Sequence, residues 1–335
     1  MKQKFLTAII ALAVVVGTGV SAPLHQVAHA QTFSDVPSTN LYYSSIEALV
    51  ASGVLQGYPD GTFKPNQPVN RAEAIKMVLT GIGDKPSNGL YNTGFTDVPL
   101  DVWYAGYVFE GALKGIIHGN PDGTFAGART VNKAEFLKMT EQAFQVDLSP
   151  YQNITGNIAA DVPAGTWFTP YVGYAKAVGL IYATVEDTLS PEKLLTRGEC
   201  AQILHKMMYV KQGGYVQERL SMAEASIIDA LLKVYRNDID GAVAQAGVAL
   251  ERSEEALNIN PESETVQATH LLAQAFQKLF QAYKAGTLQS YAHVVLYVNE
   301  AKSLADQAVE VSSSAQYFAT QVHEHGDSLL SQVKI

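Results

Sequence analysis

The sequence predicts a mainly helical, all-α protein, and three observations predict it. Apolar residues recur at spacings of three and four along most of the chain. Polar residues followed three positions later by glutamate mark helix starts in the first two thirds. Beyond residue 212, glycine and proline nearly vanish while alanine, leucine, glutamine and glutamate take over.

With 335 residues, 47% of them apolar and 16% charged, the chain has room for two or three ordinary cores. A formal net charge of −9 excludes indiscriminate binding to nucleic acid or anionic lipid, which needs a basic footprint. The lone cysteine, Cys200, excludes an intramolecular disulfide and a cysteine-rich metal cage.

The first thirty residues read as a secretory leader. Lys2 and Lys4 precede an uncharged apolar run from Phe5 to Val20, and Ala28-His29-Ala30 supplies a small-x-small cleavage site before Gln31. That run is shorter than the roughly twenty residues a spanning helix needs. Cleavage leaves 21 basic against 32 acidic residues, a net charge of −11. No later stretch is long and apolar enough to suggest a stable membrane span. Export without cysteine pairs points to a bacterial-type surface protein.

Residues 31–212 form a triplicated unit. Phe33-Ser34-Asp35-Val36-Pro37 returns at an offset of 62 as Phe95-Thr96-Asp97-Val98-Pro99. The same offset carries Asp60-Gly61-Thr62-Phe63 onto Asp122-Gly123-Thr124-Phe125, and Asn70-Arg71-Ala72-Glu73 onto Asn132-Lys133-Ala134-Glu135. A further 64 residues lead to Asp161-Val162-Pro163, Trp167-Phe168 and Thr196-Arg197-Gly198-Glu199. Each copy reads as helix, loop, helix. Ile46, Leu49, Val50 and Val54 trace one apolar face, as do Val108 and Leu113 in the second copy. Gly53, Gly115 and Gly179 stop the first helix. Tyr58 to Phe63 is a tight turn, because it lacks the alternating acids and terminal glutamate of a calcium loop.

Asn70, Asn132 and Thr196 suit helix N-caps, with Glu73, Glu135 and Glu199 completing capping boxes. Arg71, Lys133 and Arg197 are less easily explained, since they place a cation in the first turn, where the helix dipole disfavours it. Two readings follow. The cation and free N–H groups receive an anion, or the side chain pairs with an acid such as Asp35 or Asp97.

The Phe-x-Asp-Val opening, the aromatic pair, the Asp-Gly-Thr-Phe turn and the Asn-Arg-Ala-Glu segment together resemble S-layer homology domains. The resemblance covers residues 31–210. It implies a pseudo-threefold helical spindle with grooves between neighbouring repeats, and non-covalent attachment to cell-wall glycan. That glycan would be a pyruvylated secondary polymer or a peptidoglycan-linked polymer. The resemblance implies that Arg71, Lys133 and Arg197 meet the ligand's carboxylate, and that Asp35, Asp97, Asp161, Trp103, Trp167 and Tyr42 line the same grooves. An anionic sugar needs such a cation, N–H donors and an aromatic face.

The copies depart from this pattern. Leu41 stands where the others carry Trp103 and Trp167, leaving Tyr42 and Tyr43 as the nearest aromatics. Lys133 lacks the bidentate fork of arginine. The third copy replaces Asp-Gly-Thr-Phe with Glu186-Asp187-Thr188-Leu189 and carries Gly198 in place of alanine. Cys200 falls in register with Ala74 and Phe136 and reads as a small core hydrophobe.

From Lys211-Gln212-Gly213-Gly214 onward the sequence predicts an antiparallel helical bundle. Successive stripes run through Leu220, Ile227 and Val234; Ile239, Val243 and Leu250; Val266, Phe276 and Tyr283; and Tyr291, Val298 and Leu304, with a terminal helix from Gln316. Asn237-Asp238, Asn260-Pro261 and Gly286-Thr287 punctuate them. Ala256 to Pro261 is similar to the close of a tetratricopeptide hairpin, but its echo at Ala308 comes 52 residues later rather than 34, which favours a plain bundle.

The predicted division is therefore a leader at 1–30, repeats at 31–92, 93–156 and 157–212, and a bundle at 213–335. No nucleophile elbow, phosphate loop or zinc motif is present, and His323 and His325 are spaced for different helix faces. The sequence thus predicts a cell-wall anchor without enzymatic activity, cofactor or metal. The bundle is expected to contact a protein partner or self-associate. The alternatives are an enzyme displayed on the wall and a structural surface-layer or envelope-tethering subunit.

Overall fold

The computed structural model describes residues 32–87 and 89–333, so the predicted leader lies outside the described residues. Among these the chain is mainly α, with eleven α-helices and no strand. They divide into two compact units, residues 32–176 with Glu186–Lys211, and Ala177–Val185 with residues 212–333.

The first unit is built from pairs of helices: α1 (Tyr43–Ala51) with α2 (Arg71–Gly81), α3 (Ala105–Leu113) with α4 (Lys133–Ala143), and α5 (Thr169–Ala177) with α6 (Arg197–Gln212). The first helix of each pair ends as expected, with Gly53 and Gly115 at φ 69° and 68°, a conformation that costs glycine little. Asn70 and Asn132 form complete capping boxes with Glu73 and Glu135. Thr196 and Glu199 repeat the reciprocal bonds at 3.4 and 2.9 Å. Ile46, Leu49, Ile75, Val108, Phe136, Cys200 and Leu204 are buried. Leu113, expected on the core face, is instead 72% exposed at the last position of its short helix.

The residues before the caps join the three repeats. Val69 N–H donates to Leu195 O (3.0 Å), Leu195 N–H to Val131 O (3.1 Å), and Val131 N–H to Val69 O (3.0 Å). This is a closed ring with one link from each copy, and all three side chains are buried. Each buried aliphatic side chain is worth about 2 kcal/mol, so the ring is an apolar joint as well as a hydrogen-bonded one.

Two core positions carry testable consequences. A Cβ on Gly57 would fall 2.1 Å from Phe33 Cε1, and one on Gly119 would fall 2.4 Å from Phe95 Cε1. The third copy carries alanine at both register positions, Ala159 and Ala183. Gly57→Ala is expected to cost about 2 kcal/mol through overpacking. In a double-mutant cycle with Phe33→Ala, denaturant titration should show a combined loss well short of the sum.

Glu141 is fully buried, with neither carboxylate oxygen hydrogen-bonded among the described residues. Burial pushes its carboxyl well above the usual glutamate range, and the Lys211 charge only partly opposes this. A raised carboxyl supports folding fully below its unfolded value near 4.5, and that support is lost as pH rises through the folded value. Glu141→Leu matches Leu79 at the same register in the first copy. It should raise the melting midpoint at pH 7 by a few degrees. The gap from the parent should close as the pH is lowered toward 4.5.

The second unit contains α7 (Gly214–Tyr235), α8 (Ile239–Ile259), α9 (Glu264–Thr287), α10 (Tyr291–Val311) and α11 (Gln316–Leu330). Asp238 and Ser263 cap α8 and α9 by accepting from Gly241 N–H and Val266 N–H. Helix α9 packs against the other four. It supplies Leu272, Phe276, Leu279 and Phe280 to the core, with Phe276 edge-on to Phe318 at 6.1 Å. The opposing seams are small: Ala242, Ala246 and Ala249 on α8, and Ala301, Ala305 and Ala308 on α10, which lets the backbones approach closely. Tyr291, placed on a core stripe by its spacing, is 41% exposed as the first residue of α10.

Ala177–Val185 belongs to this unit because Tyr182 and Val185 pack on its core and Arg236 donates to the carbonyls of Thr184 and Val185. His323 and His325 point apart, the first to Asp306 at 2.9 Å and the second to the Tyr283 hydroxyl at 2.7 Å. Burial lowers His325 to about 4.

Candidate functional site

The basic residue of each capping segment crosses to the next copy. Arg71 Nε donates to Phe125 O (3.0 Å) and Nη2 to His118 O (3.2 Å). Arg197 makes the same pair of bonds to Phe63 O (3.0 Å) and Gln56 O (3.1 Å). Lys133 donates from its single ammonium to Leu189 O. Lys133 therefore satisfies one carbonyl where arginine satisfies two, the consequence of a point charge in place of a fork.

Both arginines are only 9% exposed, and each guanidinium lies on an aromatic ring, Arg71 at 4.8 Å from Phe125 and Arg197 at 4.6 Å from Phe63. Burial, reinforced by Arg129, lowers Arg71 from the ordinary arginine value. Burial and Lys193 do the same to Lys133. Among the described residues neither Arg71 nor Arg197 forms an ion pair with an aspartate. The sequence reading offered anion binding or acid pairing, and the structure adds a role that neither described, a clamp on the neighbouring copy's loop.

The three opening aspartates act within their own copies. Asp35 accepts from the N–H groups of Phe63 and Lys64 (both 2.8 Å), Asp97 from Phe125 and Ala126 (both 2.7 Å), and Asp161 from Leu189 and Ser190 (2.8 and 2.7 Å). Each carboxylate thereby stabilises a residue with positive φ, Lys64 at 58°, Ala126 at 57° and Ser190 at 51°. The loop so fixed is the one whose carbonyl the neighbouring arginine or lysine takes.

A cavity of about 350 Å³ opens beside the Arg197 clamp. Its walls include Gln56 and Tyr58 from the loop after α1, Glu73 and Lys76 from α2, Trp103 and Tyr107 from the second copy, and Arg197. The structure thus brings together Arg197 and Trp103 of the expected residues. None of the three aspartates lines this cavity. Trp103 and Trp167 are 55% and 53% exposed, and Leu41 is similarly exposed at 47%. Tyr42 is half-buried against Gly198, where a Cβ would lie 2.2 Å from its ring, which accounts for glycine in that copy's motif. Burial, with the nearby Glu199 charge, raises the Tyr42 hydroxyl above its ordinary value.

Sequence reasoning missed Lys76 and Lys138. Lys76 Nζ lies 5.5 Å from the Trp103 ring and 6.0 Å from Tyr107, and Lys138 Nζ lies 5.8 Å from Trp167 and 5.9 Å from Tyr171. The two lysines stand in register, an offset of 62 apart, a signal that column-wise comparison of the copies would have supplied. An ammonium over an open aromatic face suits a ligand that is anionic at one edge and apolar on one side.

The S-layer homology domain family matches residues 32–75, 94–137 and 160–201. Cell surface glycoprotein 1 of Acetivibrio thermocellus is 26% identical over 161 residues, 46% of this chain and 7% of that protein. The cellulosome-anchoring protein of the same organism is 27% identical over 159 residues, 46% of this chain and 35% of its own length. An S-layer protein of Bacillus thuringiensis subsp. finitimus aligns over 330 residues at 24% identity, 95% of this chain and 39% of that protein. This chain therefore spans well under half the length of each of these relatives.

Proposed function

We propose that this chain, whose residues 32–75, 94–137 and 160–201 match the S-layer homology domain family, is a cell-surface protein that anchors itself non-covalently to cell-wall glycan. The proposed ligand is an anionic polymer, either a pyruvylated secondary polymer or one linked to peptidoglycan. Residues 31–92, 93–156 and 157–212 are the proposed anchor, and residues 213–335 are a helical unit displayed for protein contact. The observation that carries this reading is the cavity joining Arg197, Lys76 and Trp103. A ketal carboxylate is stabilised by the cations, and the apolar side of the sugar ring by the indole.

Within this reading Arg71, Arg197, Trp103 and Trp167 are the direct contacts, and Lys133 contributes less. Asp35, Asp97, Asp161 and Tyr42 hold the loops and joints that shape the grooves. The chain acts by binding, without catalysis. One relative is described as a cellulosome-anchoring protein, and the same division between a wall-holding part and a displayed part is proposed here.

Sedimentation of the full chain with isolated cell-wall sacculi tests the reading, before and after the acid step that strips pyruvate and secondary polymer. Binding that disappears with the polymer is expected. Equal binding to stripped and intact walls, or none to either, overturns it. A second reading, a surface-layer or envelope-tethering subunit, is favoured by the 330-residue alignment, which continues through the helical unit. Concentration-dependent assembly in sedimentation velocity would support that reading, and a strict monomer would remove it.

A further inference from the structure

The second unit repeats itself. Helices α7 and α8 form one hairpin and α9 and α10 another in the same register, 52 residues on. The left-handed residue at their turn, Asn237 at φ 65°, returns as Gln289 at φ 56°. The two hairpins are covered differently. Lys284, in the last turn of α9, bridges to Asp240, the second residue of α8, so the start of α8 is roofed. Helix α11 begins 52 residues after α9, but it has 15 residues where α9 has 24. Its Asp327 meets Lys302, the twelfth residue of α10, and α11 stops three residues later at Leu330.

The uncovered start of α10 is apolar. Leu288 and Leu296 are 68% and 49% exposed, Tyr291 and Ala292 are exposed as well, and Val295 is half-buried. Positions 291, 292, 295 and 296 are three and four apart, so they share one face of the helix. An exposed apolar patch of roughly 350 Å² is of the size that marks a contact site on a monomeric protein. Charge selects the occupant. Residues 285–299 contain no aspartate, glutamate, lysine or arginine, whereas residues 213–335 together carry 15 acids against 8 bases. Two copies of such an acidic unit repel wherever charged faces meet, and at this patch they meet without opposed like charges. A partner recognised by its charge finds no counter-ion on this face. A two-fold contact needs only that a patch complement itself, which uncharged apolar side chains do.

Resting on the reading that residues 213–335 are displayed for protein contact, we propose that their partner is a second copy of this chain. The two copies pair about a two-fold axis through the start of α10, with Leu288, Tyr291 and Leu296 of each set against those of the other. Two such patches bury roughly 700 Å² of apolar surface, short of a standard interface of about 1,600 Å², so the pair is weak and reversible. One patch per copy closes at two, whereas a lattice needs a second, different contact. Each pair presents two wall-binding units to one polymer, which raises the effective concentration of the second once the first is bound.

Sedimentation velocity of the full chain over roughly a hundredfold range of concentration tests this. A shift from monomer to pair and no further is expected. Added salt should strengthen the pair, because it screens the repulsion between acidic units and leaves the apolar contact intact. Leu296→Glu sets two like charges against each other across the axis and should keep the chain monomeric throughout, as should Leu288→Glu. Val248→Glu, the same kind of change at an exposed position of α8, should pair as the parent does. Circular dichroism should show parental helicity in all three, since each replaced side chain is exposed and glutamate is a good helix former. A strict monomer, pairing that survives both leucine variants, pairing that weakens with salt, or growth beyond two overturns the inference. Sacculus binding by a strictly monomeric chain leaves the anchoring reading standing, whereas a chain that pairs but does not bind sacculi keeps the inference and removes that reading.

Discussion

Arg197→Ala is expected to lower folding stability by about 3 kcal/mol and to release the protein from cell walls. The side chain is nine-tenths buried and holds two loop carbonyls of the first copy, Phe63 O and Gln56 O. Hydrogen bonds to a charged group are worth about 1.5–3 kcal/mol each, and removing the donor leaves both carbonyls short of a partner. Chemical denaturation measures the first effect, and sacculus sedimentation well below the midpoint of the variant measures the second. Arg197→Lys is the informative control. Lys133 demonstrates that lysine at this place reaches a single carbonyl, so roughly half the lost stability should return. A variant as stable as the parent would mean that the clamp does not hold the copies together.

Asp97→Ala should cost about 3 kcal/mol, because one carboxylate accepts from two successive N–H groups, Phe125 and Ala126, each at 2.7 Å. The second donor belongs to a residue at φ 57°, a conformation alanine adopts only under constraint. Removing the acceptor leaves the strain and takes away what offsets it. Asp97→Asn keeps one acceptor oxygen and should lose about half as much. The measurement also separates two roles. If the aspartate shapes the loop, stability and wall binding fall together. If it touches the ligand alone, binding falls while the denaturation midpoint is unchanged.

Much of this protein could be read from its sequence because its signals are local. The capping residues Asn70, Asn132 and Thr196 act on N–H groups three positions away, and Gly53 and Gly115 act on their own φ. The helix breaks at Asn237-Asp238 and Asn260-Pro261 likewise needed no tertiary information. The errors occur where a face is decided by what lies opposite. Leu113 and Tyr291 fit their stripes by spacing, yet each sits at a helix end with solvent beside it.

The sequence by itself determined the triplication, the helix pairs, the family resemblance and the exceptional character of the cation at 71, 133 and 197. Only the tertiary structure decided what that cation does. Its partners are carbonyl oxygens of His118, Phe125, Leu189, Gln56 and Phe63, and a carbonyl carries no residue-type signature, since every residue has one. The same holds for the ring through Val69, Val131 and Leu195, which is made wholly of backbone bonds. It holds too for Lys76 and Lys138, whose meaning comes from aromatic rings about thirty residues further along the chain. Spacing reports what a side chain does to its own helix, while function here depends on what the next copy places against it.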